Sequence, residues 1–156
     1  MLTTTVIILI SLCLFVFWFR YACRLMLSVH PAKDLTGKIA EANKLKFRTV
    51  QSALNSESML AFSELDRLFQ LLNRDHRIIT YLMKYGACYR CGGEGLEHAL
   101  LQLDYRLMMA IYKLTRTTFR GEAHKALCEM ARVLNYFANS MGANMSGDTI
   151  QVALPE

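Results

Sequence analysis

SESMLAFSELDRLFQLLNRDHRIITYLMKYG, Ser56 to Gly86, is the stretch on which the fold turns. Ala61, Leu65, Leu68, Leu72, Ile79, Leu82 and Met83 fall at the spacings that bring apolar side chains to one face of an α-helix, and no strand-like alternation runs through them. Ser63 and Asp66 have the spacing of a capping pair, which predicts a break near Phe62. The run Arg74, Asp75, His76, Arg77 reads as a solvated face.

The same repeat extends in both directions. Gly95 to Phe119 carries Leu96, Leu100, Leu103, Leu107, Ile111 and Leu114 as one stripe. Arg120-Gly121 marks a turn, and Glu122 to Met141 repeats through Ala123, Leu127, Met130, Leu134 and Phe137 up to Gly142 in the usual C-cap place. Ile150-Gln151-Val152 is a short strand-like run in an otherwise small and polar tail. Upstream, Leu35, Ile39, Ala42, Leu45, Val50 and Leu54 form the apolar side of a basic amphipathic stretch. The only prolines are Pro31 and Pro155, so nothing between them breaks a helix by removing its N–H donor. The expectation is an all-α protein with a small antiparallel helical bundle, because the turns between its helices are short.

The N-terminus is of another kind. VIILISLCLFVFWF, Val6 to Phe19, is interrupted only by Ser11, and as a helix it spans about 21 Å. A hydrocarbon core is about 30 Å thick. Leu2 and Thr3 to Thr5 at one end, with Trp18, Arg20 and Tyr21 at the other, extend the run to a spanning length. A cleaved signal peptide fits less well, since no Lys or Arg precedes the apolar core and bulky aromatics stand where small cleavage-site residues belong. The domain reading is therefore an anchor over 1–23, a basic juxtamembrane segment over 24–54, a bundle over 55–142 and a tail over 143–156.

Charge supports that division. Arg20, Arg24, Lys33, Lys38, Lys44, Lys46 and Arg48 face only Asp34 and Glu41 between positions 20 and 48, a net of +5, which is the formal charge of the whole chain. A nucleic-acid-binding domain carries its basic face on the folded body; here the excess lies beside the apolar run, where it suits anionic lipid headgroups. The same asymmetry places the N-terminus outside and the C-terminal body in the cytoplasm. That compartment is reducing, so the five cysteines read as thiols or metal ligands.

GACYRCGGEG, Gly86 to Gly95, holds the chemical motif. Cys88 and Cys91 have the spacing of a zinc knuckle, and His98 is near enough in sequence to be a third ligand. His124 and Cys128 share a helix face, but a helix about 35 Å long separates them from Cys88 and Cys91, too far for one metal. A structural zinc needs four ligands, so no cofactor is expected, with zinc at Cys88, Cys91 and His98 as the exception. The glycines lack the Gly-Lys-Ser/Thr of a phosphate loop, and no catalytic set stands out.

On the third helix Tyr105, Met108, Met109 and Tyr112 add apolar bulk beyond the leucine stripe. Such a helix is either buried all round or offers a second face to a partner, and the partner reading assigns those four residues to the contact. The function expected is a non-catalytic accessory or scaffold subunit of a membrane complex. Its partners would be other membrane subunits, anionic lipid and further copies of itself. The alternative is a membrane-tethered metal-binding or thiol-redox module centred on Cys88 and Cys91.

Overall fold

A computed structural model describes residues 1–28, 36–56, 61–85 and 95–151. It is all-α, with six helices among the described residues: α1 Leu2–Ser28, α2 Thr36–Ala42, α3 Phe47–Ser56, α4 Phe62–Tyr85, α5 Gly95–Thr115 and α6 Arg120–Gln151. The chain divides into two compact units, Met1–His30 and Pro31–Glu156.

The first unit is α1. At 27 residues it is about 40 Å long, longer than the Leu2–Ala22 span read from the sequence and long enough to cross a bilayer. From Val6 to Trp18 its large apolar side chains are exposed on all sides, with Ile7 at 66 %, Phe15 at 67 % and Trp18 at 62 %. Toward its C-terminal half Phe15 stacks with Phe19, and Trp18 meets Phe17 on one side and Tyr21 on the other, the latter edge to face at 6.0 Å. Rings of this kind are enriched at membrane–water interfaces.

The second unit is built around α6, which packs against α2, α3, α4 and α5. Ala123, Ala126, Leu127, Met130, Ala131, Val133, Leu134, Phe137 and Ala138 are buried, which leaves little of its circumference to solvent. Four alanines in that set let neighbouring backbones come close, while the leucines and Phe137 fill the spaces between. The sequence pointed to α5 as the multi-faced helix; α6 is the one surrounded.

Positions 36–56 belong to this body and not to a separate juxtamembrane segment. Ile39, Ala40, Leu45, Phe47, Val50 and Leu54 are buried, since α2 and α3 pack on α6 and α3 also meets α4. The expected single helix to Leu54 is two helices with a sharp corner between them. Leu45 N–H donates to Ala40 O at 2.8 Å and Lys44 N–H to Glu41 O at 3.2 Å, the bond pair of a Schellman C-cap. Lys44 occupies the left-handed position, with φ 52°, where glycine is the unstrained choice. Lys44→Gly is expected to raise stability by about 0.5–1 kcal/mol, read as a higher Tm of the full chain in detergent. An unchanged or lower Tm would count against strain at this corner. Next to it, a Cβ on Gly37 would come within 2.7 Å of Arg48 Nη1, so Gly37 leaves the room in which Arg48 lies along α2.

Three helix ends differ from expectation. Ser63 is not a cap: Leu65 N–H already donates to Ala61 O, and Asp66 is engaged elsewhere. The turn after α5 is Arg116–Thr118, closed by Phe119 N–H to Thr115 O at 2.8 Å, and Arg120-Gly121 opens α6. There Arg120 lies over the Phe62 ring, 4.0 Å from its centroid. Gly142 does not stop α6, since among the described residues no glycine has a positive φ, and helix continues to Gln151 across part of the strand-like run.

Candidate functional site

The candidate chemistry of this chain falls on three places: the cysteine motif, the histidines of the body, and the faces of α1 and α5. Cys88, Cys91 and Lys33 lie outside the described residues. His98 is 5 % exposed and faces α6, its ring stacked on Phe137 at 5.4 Å with Tyr136 alongside at 6.2 Å. Among the described residues no group of three or more His, Cys, Asp or Glu side chains is placed to hold an ion.

His124 and Cys128 do meet, one turn apart on α6. His124 Nε2 lies 3.0 Å from Leu54 O at the end of α3, and Nδ1 lies 3.9 Å from Cys128 Sγ. With Nε2–H donating to the carbonyl, Nδ1 is left as the acceptor toward the thiol. Burial, ahead of the opposed influences of Arg132 and Glu129, pushes the Cys128 thiol above its ordinary value. His124 thereby fastens α3 to α6, and burial disfavours the thiolate form of Cys128 that a nucleophile needs.

Arg74 to Arg77 is not one wet face. Asp75 is fully buried, and its Oδ2 accepts N–H bonds from Lys46 at 2.5 Å and Phe47 at 2.7 Å. Those are orphan donors at the start of α3, which a carboxylate satisfies and whose partial positive charge it complements. Arg74 binds Asp75 Oδ1 at 3.2 Å and also donates to Lys44 O at 3.1 Å. Lys44, Lys46 and Phe47, at the corner that opens α3, are thereby tied to α4 by one acid and one base. The sequence carried a signal for this that the solvated-face reading passed over: position 75 falls on the same face as Leu68, Leu72 and Ile79.

His76 stacks flat on Tyr105 of α5, ring centroids 3.9 Å apart. Among the described residues neither His76 Nε2 nor the Tyr105 hydroxyl has a hydrogen-bond partner. Burial, helped by the Arg106 guanidinium, lowers the His76 pKa to about 4 from its ordinary 6.5. The unfolded chain therefore binds the proton first as pH falls, and His76's contribution, complete above pH 6.5, is lost progressively toward pH 4. Replacing His76 by phenylalanine keeps a ring on Tyr105 and removes the titration. Its Tm is expected to fall less steeply than wild type between pH 6.5 and 4. Equal slopes in that window would show that other groups set the acid limb.

Two turns along, Phe69 and Tyr112 stack at 4.6 Å, and the Tyr112 hydroxyl donates to Asp66 Oδ1 at 2.6 Å. Arg116 approaches the same oxygen at 3.5 Å. Burial and the Asp66 hydrogen bond raise the phenol's pKa. Tyr112→Phe leaves the stack and deletes a bond to a charged acceptor, an expected loss of about 1.5 kcal/mol in thermal unfolding. A double-mutant cycle with Asp66→Ala should show the two losses to be non-additive; additive losses would mean the bond contributes nothing.

These contacts decide the orientation of α5. Tyr105, Met108 and Tyr112, three of the four residues assigned to a partner, are at most 1 % exposed and lie in the core; Met109 is half-buried. The inward row is His98, Leu101, Tyr105, Met108, Tyr112. The leucine stripe faces out instead, with Leu96 at 76 %, Leu103 at 54 % and Leu114 at 78 % exposure. The basic residues Lys38, Lys44, Lys46 and Arg48 are exposed on α2, the corner and α3; on α1 Arg24 is exposed and Arg20 half-buried. The apolar outer surfaces of α1 and α5 are thus the strongest candidates for a functional surface. Compared with family models, curated proteins and solved structures, the chain matches none of them.

Proposed function

We propose that this chain is a membrane-anchored, non-catalytic accessory or scaffold subunit, held by α1 and presenting its helical body to other membrane components. The observation that carries the reading is the all-round exposure of large apolar side chains from Val6 to Trp18, a surface that water disfavours and lipid accepts. Arg20, Arg24 and the exposed Lys38, Lys44, Lys46 and Arg48 follow it in sequence, which favours a single pass with the N-terminus outside and the body in the cytoplasm. Those cations also suit anionic headgroups. In the body the ionisable side chains that meet act as struts: Asp75 caps α3, Asp66 holds α5, and His124 holds α3.

The test is purification of the full-length chain in mild detergent with identification of stoichiometric companions by mass spectrometry. Membrane subunits at constant ratio, lost when α1 is replaced by an unrelated span or when surface residues of the body are changed, are expected. A chain that purifies without stoichiometric companions overturns the reading. Bound zinc that is lost with Cys88→Ser and Cys91→Ser would move the assignment to the metal-binding module.

A further inference from the structure

We propose that the outer row of α4, together with the corner that opens α3, is a second membrane contact, which lays the body on an anionic leaflet. Gln70, Arg74, Arg77, Tyr81 and Lys84 follow one another at intervals of 4, 3, 4 and 3 residues, which is one face of a helix, and all five are exposed. The row runs for about 21 Å. From Gln70 to Tyr85 the sequence holds a single carboxylate, Asp75, which is fully buried and paired with Arg74.

The fold adds cations to this row from elsewhere in the chain. Arg74 Nη2 donates to Lys44 O and Asp75 accepts from Lys46 N–H, so the corner abuts α4 where the row carries its arginines. Exposed Lys44 and Lys46 thereby adjoin cations that lie far from them in sequence. Glu41 is the exposed acid of α2, and Lys38 stands on the same short helix. With Arg74 set against Asp75 and Lys38 against Glu41, the charges of Lys44, Lys46, Arg77 and Lys84 remain. Read along the chain, these charges divide between a basic segment and a neutral body; the fold joins them. Toward the end of α4, Tyr81 and Tyr85 are 62 % and 63 % exposed with ring centroids 4.7 Å apart, and Lys84 Nζ lies 5.3 Å from the Tyr85 centroid. Tyrosine is enriched at headgroup level, where the ring meets acyl chains and the hydroxyl stays wet.

Charge and tether together select the occupant. A face of cations and tyrosines with no exposed carboxylate complements an anionic surface, and each basic residue near such a surface strengthens binding roughly fivefold. Nucleic acid carries the same sign of charge, but an anchored chain has lipid always within reach. α1 ends at Ser28 and α2 begins at Thr36, and eight residues extend less than about 30 Å even when fully stretched. Confinement of that kind raises the effective concentration of headgroups at the body. The inference thus rests on the reading of α1 as an anchor, and adds which face of the body meets the headgroups.

The experiment uses the full-length chain reconstituted in vesicles of phosphatidylcholine, alone or with about one-third phosphatidylserine. Lysine acetylation mapped by mass spectrometry and vesicle flotation are read on the same samples. Exposed Lys113 on α5, outside the row, is the internal reference. Relative to Lys113, Lys44, Lys46 and Lys84 are expected to react about threefold more slowly, or less, on the phosphatidylserine vesicles, where headgroups cover them. In about 0.5 M salt the screening length falls to about 4 Å and the protection should vanish. Arg77→Glu with Lys84→Glu should float, keep its helicity and lose protection of Lys44 and Lys46; Arg77→Gln with Lys84→Gln should lose part of it. Both positions are exposed, so the folded body tolerates these changes. Chains that float with no protection on either vesicle overturn this contact and leave the anchor standing. Protection that is equal on neutral vesicles, survives salt or persists in the glutamate variant also overturns it. Protection by a single-stranded RNA oligomer, with none from phosphatidylserine, reassigns the face to nucleic acid. Chains that float only on phosphatidylserine vesicles overturn the anchor while supporting the contact, and chains that float on neither overturn both.

Discussion

Leu12→Arg is expected to release the full chain from membranes: wild type stays in the pellet after alkaline carbonate extraction, and the variant does not. Leu12 lies near the middle of the apolar run of α1 and is 57 % exposed, so arginine there has no protein surface to shelter it. A guanidinium at the centre of a spanning helix costs about 3 kcal/mol on insertion scales, on the order of a hundredfold in the insertion equilibrium. Arg20 and Arg24 are tolerated because they stand near the helix end, from which a long side chain reaches the headgroups. Leu12→Ile, which preserves apolarity, is the control and should remain in the pellet. Retention of the arginine variant would mean that some surface other than α1 holds the chain.

Asp75→Ala is expected to be the most damaging single change in the body. It removes the acceptor of the Lys46 and Phe47 N–H groups, leaves Phe47 N–H buried at a helix start, and strips Arg74 of its carboxylate partner. Loss of a charged cap together with an orphaned buried donor costs about 3 kcal/mol. For a body of this size that is a fall in Tm of about 10 °C. Asp75→Asn retains one oxygen that can accept from the same donors and should lose about half as much. Amide exchange at Phe47 and Val50 should accelerate in the alanine variant before the rest of the body opens. If alanine and asparagine are equally mild, Asp75 does not hold α3, and the corner at Lys44 must be kept by burial of Leu45 and Phe47 alone.

How much of this was legible in the sequence differs from helix to helix. Of Ala61, Leu65, Leu68, Leu72, Ile79, Leu82 and Met83, read as one face of α4, five are buried, while Leu82 is half-buried and Ala61 is exposed just ahead of the helix. The α6 stripe was read as Ala123, Leu127, Met130, Leu134 and Phe137, and every one of them is buried. These assignments need only the helical repeat and a single apolar face. Ends were read less well. Gly142 carries a C-cap signal that α6 overrides, since one interior glycine costs a helix only about 1 kcal/mol and the next proline is Pro155. The corner at Asn43–Lys46 had no glycine to announce it and is held by bonds from Arg74 and Asp75, about thirty residues away.

The cysteine motif and α5 show the same limit in the candidate site. Cys88 and Cys91 have a spacing that names a chemistry, yet a metal set is a matter of which side chains converge, and His98 is turned onto Phe137. On α5 the sequence carries two apolar rows, both at seam spacing. The pattern alone favoured the leucines as core, because leucine is the commoner core residue.

By itself the sequence determined that this protein is all-α, that its first helix is long and apolar enough to cross a membrane, and where its excess positive charge lies. Those follow from composition and from the period of a single helix. Only the tertiary structure decided that Tyr105, Met108 and Tyr112 are core and the leucine stripe is surface, that Asp75 is buried, and that α6 is the centre. The reason is physical: a tyrosine or a carboxylate can be buried only where a partner meets it, and the partners Asp66, Phe69, His76, Lys46 and Phe47 come from other parts of the fold. No periodicity within one helix records them.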